Sequence, residues 1–506
     1  MVLLFFCRSR GGGGSIVANA QALVGDYTLL RNTINGIDNF VISITNDITW
    51  EDSLITMSGT SSGTIIGGSG ADIWTFNGAN SYQGFNLPSK SIYFVGNIKF
   101  MDFYKSGNGG AIYAQTGGAQ INFVNSSVSF ISNTATGAGG AINANIITFI
   151  NSTASFIESS YSSYGGSYAI YALTISLSSS MVSFIGNSNG ALFGSHISFS
   201  NSMVSFTGNG YRALSGDIIN FTSSTASFIS NTATGSGGAI SVTGAGPITF
   251  TDSMLSFISN TAPGSGGAII GGVPIIFTNS TASFVDNKAI VGGAIYNPAQ
   301  TTFTDSMLSF TSNTSNDSGG AIYGTSISFN NSMVSFISNT SNADGGAIYG
   351  TSISFNNSTA SFTSNSAELG GAIHASQSSI NFTNSMVSFT SNAAIGGSSN
   401  YGGAIYASQS IINFTNSSVG FSENWAKTGG AIYVYNQSII NFTNSTVSFI
   451  SNSAKPISPG GAIYAISAST INFTSSIISF ISNDASAGGA GGAILAIQTA
   501  INFINS

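Results

Sequence analysis

The sequence predicts an all-β fold, a right-handed parallel β-helix with three short strands per coil and about fifteen or more coils. Three observations carry the prediction. The tetrapeptide Gly-Gly-Ala-Ile begins at Gly109, Gly139, Gly237, Gly266, Gly292, Gly319, Gly345, Gly370, Gly402, Gly429, Gly460 and Gly491. A second motif, Phe-x-x-Asn, keeps the same beat from Phe94 and Phe130 through Phe336, Phe362 and Phe389 to Phe480, with a copy at Phe156 that ends in Ser159. Most successive copies lie 22 to 32 residues apart, the period of a stacked solenoid. The third observation is composition. The 506 residues are 42% hydrophobic but only 5% charged, where an ordinary soluble domain carries about 25% charged residues.

The elements follow in chain order. Residues 1–20 read as a disordered tip or a damaged signal region. Met1 to Cys7 is apolar but precedes Arg8 and Arg10, the reverse of a secretion signal, and Ser15 to Ala22 ends in small residues like a cleavage region. Residues 21–106 lack Gly-Gly-Ala-Ile, hold Trp50, Trp74 and much of the charge (Asp26, Asp38, Asp52 and Lys90 among it), and read as an amino-terminal cap with irregular first coils. Residues 107–506 read as β-helix repeats that end mid-coil, since Ile501-Asn-Phe-Ile-Asn-Ser506 corresponds to the second strand of a coil. Degenerate copies fill the one long gap, at Gly166-Ser-Tyr-Ala-Ile170, Gly190-Ala-Leu192 and Tyr211-Arg-Ala-Leu214.

Within one repeat, Gly370 to Asn392, side chains are sorted by the alternation of a strand. Ile373 faces one way and Ala372 and His374 the other. Ile380 and Phe382 share a face, as do Val387 and Phe389. Met386 follows the Asn384-Ser385 turn directly, so its direction is left open. Paired glycines permit positive φ at the tightest bend. Asparagine tolerates the left-handed conformation, and amides repeated at one corner are expected to form a hydrogen-bonded ladder. Sandwich strands would not carry one tetrapeptide at every third segment, and a membrane barrel needs longer segments with aromatic girdles.

Composition also excludes functions. Ten cations against seventeen anions, a net charge of −7, cannot neutralise a run of phosphates, so no nucleic-acid partner is expected. One cysteine excludes a disulfide scaffold, and two histidines, His196 and His374, leave no His-rich metal site; no cofactor is expected. An enzyme is not expected either, because acid–base chemistry needs titratable groups within a few ångströms of one bond. Asp286 and Lys288 are the closest opposite pair, while Asp252 and Asp305 occupy equivalent positions two coils apart, at about 10 Å. Aspartate standing in for asparagine at a corner accounts for them. Arg212 reads as a solvated outlier.

The alternating tetrapeptides resemble the signature of the chlamydial polymorphic outer-membrane proteins, over about residues 92–506. The resemblance implies an autotransporter: a signal peptide, a β-helical passenger associated with adhesion to host cells, and a carboxy-terminal barrel in the outer membrane. The chain departs from that plan in its unclear signal, in showing no barrel segment after the repeats and in its scarcity of cysteine. Membrane contact is therefore expected only through a missing or separate anchor. The expected function is a non-enzymatic passenger at the outer-membrane surface or outside the cell, acting as an adhesin. A polysaccharide-active β-helix and a purely structural stalk are the alternatives.

One surface feature stands above the repeat. The residue after Gly-Gly-Ala-Ile points outward by alternation and is Tyr113, Tyr296, Tyr323, Tyr349, His374, Tyr406, Tyr433 or Tyr464. Stacking would set these rings about 5 Å apart. They either stabilise the sheet or form a binding strip for a host-cell protein or glycan, since tyrosine pairs an apolar body with a polar tip.

Overall fold

The computed structural model describes residues 20–36, 40–51, 55–56, 62–88, 91–115, 118–161, 168–397, 399–455, 459–485 and 490–506. The tip or signal reading for residues 1–20 falls outside them apart from Ala20, as do Cys7, Asp38, Asp52 and Lys90. The chain is an all-β parallel β-solenoid of about 16 turns, in the class of the right-handed parallel β-helix. It divides into two compact units, residues 1–232 and 233–506.

In the second unit, the alternation of each strand decides which side chains are buried. Strand Ile348–Asn356 buries Ile348, Ile353 and Phe355. Asn357 then takes φ 49°, a left-handed conformation that a short polar side chain tolerates, and the chain bends into strand Thr359–Thr363, which buries Ala360 and Phe362. Ser364, at φ 56°, makes the next bend. Parallel register places like on like: Phe310, Phe336, Phe362 and Phe389 fall in one column, and Phe329, Phe355 and Phe382 in another. Within a column the rings stack, Phe336 on Phe362 at 4.9 Å and 6°. Between columns they meet edge to face, Phe355 against Phe362 at 6.1 Å and 78°, a favourable quadrupole arrangement.

A fourth strand, absent from the three-segment reading, follows eight of the Phe-x-x-Asn motifs in the second unit. It is two residues long, as in Ser366–Ala367, and its copies form an eight-stranded parallel sheet of their own. Small residues over two positions leave no apolar alternation to read. Met386 is 62% exposed, so the alternation left open there holds strictly. Ala372 departs the other way. Alternation sets it opposite Ile373, yet it is fully buried. The reason is the closeness of the coils at the Gly-Gly turn. Gly345 has φ 63°, and a Cβ on Gly346 would lie 2.1 Å from the carbonyl oxygen of Gly371 in the next coil.

Two buried polar ladders run beside the aromatic columns. Asn339 Nδ2 donates to Asn365 Oδ1 at 3.0 Å, and Asn365 Nδ2 donates to Asn392 Oδ1 at 3.0 Å and to the Phe336 carbonyl at 2.9 Å. The expected amide ladder is therefore present, fully buried. A serine ladder that sequence reasoning missed matches it at the other corner: Ser358 N donates to Ser385 Oγ at 3.1 Å, and Ser358 Oγ to the Phe329 carbonyl at 3.1 Å.

The first unit repeats this plan and adds an irregular start. Strand Ala20–Val24 pairs in parallel with Phe40–Ile44, and helix α1, Tyr27–Gly36, lies between them in sequence. Asp26 caps α1 by accepting from Leu29 N at 2.8 Å, and Leu30 and Ile34 are buried beneath it. Trp50 is also buried, with the rings of Tyr27, Phe76, Phe85 and Phe103 centred 5.0 to 5.7 Å away. The sequence reading contains no helix here. A ten-residue helix depends on tertiary packing more than on its own propensity, so its local signal is weak.

Candidate functional site

The expected strip is built by the strand that leaves the Gly-Gly turn. In the second unit the parallel register aligns Ser241, Ile270, Tyr296, Tyr323, Tyr349, His374, Tyr406, Tyr433, Tyr464 and Leu495 in one column. Seven consecutive members carry rings, and each ring stacks on the next. The centroid distances lie between 4.8 Å for Tyr323–Tyr349 and 5.4 Å for Tyr406–Tyr433, with interplanar angles between 3° and 24°.

Tyr113 is not one of these seven second-unit rings. It belongs to the first unit, where its register neighbours are Asn86 and Asn143. The first unit instead stacks Tyr171 on Phe193 at 4.7 Å and 11°, a pair that sequence reasoning missed. The degenerate Ala-Ile-Tyr171 and Ala-Leu-Phe193 copies carry the signal, once the missing glycines are disregarded.

Exposure divides the seven rings further. Tyr296, Tyr323, Tyr349 and Tyr406 are half-buried, whereas His374, Tyr433 and Tyr464 are buried. The segment before the next Gly-Gly folds back over the column: the Tyr401 ring stacks on Tyr433 at 4.5 Å and 10°. Face-to-face stacking has a second consequence. The flat faces are occupied by one another, so a ligand meets the ring edges and hydroxyl groups of Tyr296, Tyr323 and Tyr349.

Carboxylates flank that accessible part. Asp344 Oδ2 lies 4.0 Å from His374 Nε2. Burial, together with the charges of Asp317 and Glu368, raises the Asp344 carboxyl to about 6. Burial lowers His374 to about 4, so at neutral pH its imidazole is uncharged and the contact with Asp344 is not an ion pair. The phenols of Tyr323, Tyr349, Tyr406 and Tyr433 are all raised, chiefly by burial. They therefore remain protonated and able both to donate and to accept.

The carboxylates weighed for catalysis sit at bends. Asp252, Asp286 and Asp305 all take positive φ, and Asp252 Oδ1 accepts from Asn279 Nδ2 at 2.7 Å in the neighbouring coil. This is the exposed left-handed corner and not the buried amide ladder. Arg212 is not a solvated outlier: its guanidinium lies over the Tyr211 ring, 5.2 Å from the centroid. His196 is exposed on its strand. Among the described residues, no three His, Cys, Asp or Glu side chains come together as a metal site.

Seven segments, residues 91–115, 127–145, 225–243, 254–271, 307–325, 333–351 and 386–408, match the Chlamydia polymorphic membrane protein repeat. The chain carries the repeats of that family. In the segment 333–351 the match runs from strand Met333–Ile337 through Asn339 and the Gly-Gly turn to Tyr349, so one polymorphic membrane protein repeat holds a core phenylalanine, a ladder amide and a strip tyrosine. Tyr113, Tyr323, Tyr349 and Tyr406 lie within matched segments, and Tyr296, His374, Tyr433 and Tyr464 outside them. The chain matches no curated protein. No helix among the described residues is long and apolar enough to cross a membrane, which leaves strand-built anchors unaddressed.

Proposed function

We propose that the chain is a non-enzymatic autotransporter passenger that acts in adhesion at the bacterial surface, through the accessible tyrosines of the second unit. The observation that carries this reading is the row Tyr296, Tyr323 and Tyr349, three half-buried phenols on consecutive coils of a scaffold made from a surface-protein repeat. Elsewhere the outward positions mix Ser, Thr and Asn with exposed apolar side chains such as Met307 and Met333. Because the ring faces stack on one another, the favoured partner is a host-cell protein that hydrogen-bonds to hydroxyls and packs on ring edges. A glycan that needs a free aromatic face is the less favoured partner.

The test replaces all three tyrosines with serine, the residue that Ser241 already places in this column. Each lost contact weakens binding by about 1 kcal/mol, so the triple variant binds host cells roughly a hundredfold less tightly. Circular dichroism establishes that it is folded. A folded triple variant that binds like the parent reduces the rings to sheet stabilisation and favours the structural-stalk reading.

A further inference from the structure

We propose that Tyr296, Tyr323 and Tyr349 form a dityrosine cross-linking site, at which a one-electron oxidant, such as a peroxidase with hydrogen peroxide, joins the rings of consecutive coils. The inference is independent of what the strip binds.

Three observations carry it. The rings are held in pairs by parallel register, at 5.2 Å and 16° for Tyr296–Tyr323 and 4.8 Å and 3° for Tyr323–Tyr349. Coupling is thereby intramolecular between pre-oriented partners, which removes the encounter requirement that makes radical pairing slow in solution. All three rings are half-buried, so a small oxidant reaches their edges. The chain has one cysteine, so no disulfide within it is available to staple coil to coil.

The chemistry balances. Each phenol loses one electron to the oxidant and its O–H proton to solvent, giving a phenoxyl radical. The two radicals pair at carbons ortho to oxygen and form one C–C bond. The hydrogen on each coupled carbon then leaves as a proton while the ring oxygen takes one up, restoring two phenols. Two electrons and two protons leave in total. The bond closes loops of 27 and 26 residues (323 − 296 and 349 − 323), and so constrains the unfolded chain as a disulfide does.

The test oxidises the full chain at high dilution with photoactivated ruthenium tris(bipyridine) and persulfate, then isolates the monomer. Tandem mass spectrometry is expected to find peptides bridging Tyr296 to Tyr323 or Tyr323 to Tyr349. The oxidised monomer should melt higher by about 5 °C or more. Tyr323→Phe keeps the stack but has no phenolic proton to lose, and should abolish both bridges; Tyr113→Phe should leave them unchanged. The proposal is overturned if the monomer contains no dityrosine, if the bridges map only to other pairs such as Tyr401–Tyr433, or if they persist in Tyr323→Phe.

Discussion

At the scale of single residues, Gly346 and the Asp344–His374 pair make the sharpest demands. Gly346 has no room for a side chain, because the obstacle at 2.1 Å is backbone oxygen and not a movable side chain. Gly346→Ala should therefore destabilise by about 2–4 kcal/mol, read from chemical denaturation, while Gly420→Ala, whose added Cβ would meet nothing nearer than 3.7 Å, should cost less than about 1 kcal/mol. The Asp344–His374 pair predicts a pH dependence with opposed signs. Asp344 is raised from 3.8 to about 6, so the folded chain holds a proton that the unfolded chain has released. That contribution is present at low pH and is lost as pH rises through about 6. His374 is lowered from 6.5 to about 4, so the unfolded chain gains a proton first as pH falls, and stability is lost on acidification across that window. In the parent the two nearly cancel. Relative to the parent, Asp344→Asn should lose stability between pH 6.5 and 4, by about 3 kcal/mol at the acid end, and His374→Tyr should gain stability as pH falls from 6 to 4. Denaturation series at several pH values check both slopes.

At the scale of the strand and its corners, each coil depends on a core face and on closed polar ladders. Phe336 is fully buried between Phe310 and Phe362, so Phe336→Asp buries an unpaired charge and should melt the neighbouring coils. Ser335, on the outer face of the same strand, should accept Asp at a cost of less than about 1 kcal/mol. Equal shifts in thermal melts would refute the face assignment. The amide ladder is comparably exacting. Asn365→Leu leaves the Phe336 carbonyl and Asn339 Nδ2 each short of a partner, and should destabilise by about 2–5 kcal/mol. Asn357 at the exposed left-handed bend is different: Asn357→Gly should be nearly neutral in the same assay, because glycine also adopts φ 49° without strain.

Across the whole molecule, the low charge sets the behaviour. Ten cations and seventeen anions in 506 residues leave little electrostatic energy to screen, so solvation of the outer face falls to Ser, Thr and Asn. Lys455 and Asp484 show the weakness of what remains, with their charges 4.0 Å apart and both side chains 59% exposed. Melting midpoints at low and high sodium chloride should therefore differ by less than about 3 °C, as followed by circular dichroism. A larger shift would reveal ionic networks that the composition does not supply.

The sequence by itself determined the fold class, the coil period, the inward columns of Ile and Phe and an amide ladder at one corner, because identical residues recurring at one spacing have one parallel register that stacks like on like. It also placed Tyr296 through Tyr464 in a single column. Only the tertiary structure decided which of those rings reach solvent, that Tyr113 belongs to another unit, that Ala372 is buried and that Asp344 lies beside His374. Alternation assigns a side chain to a face of its own strand, but exposure depends on what folds over that face. Here the covering residues, Tyr401 over Tyr433 among them, come from segments of variable length before each Gly-Gly turn, where the repeat itself carries no pattern.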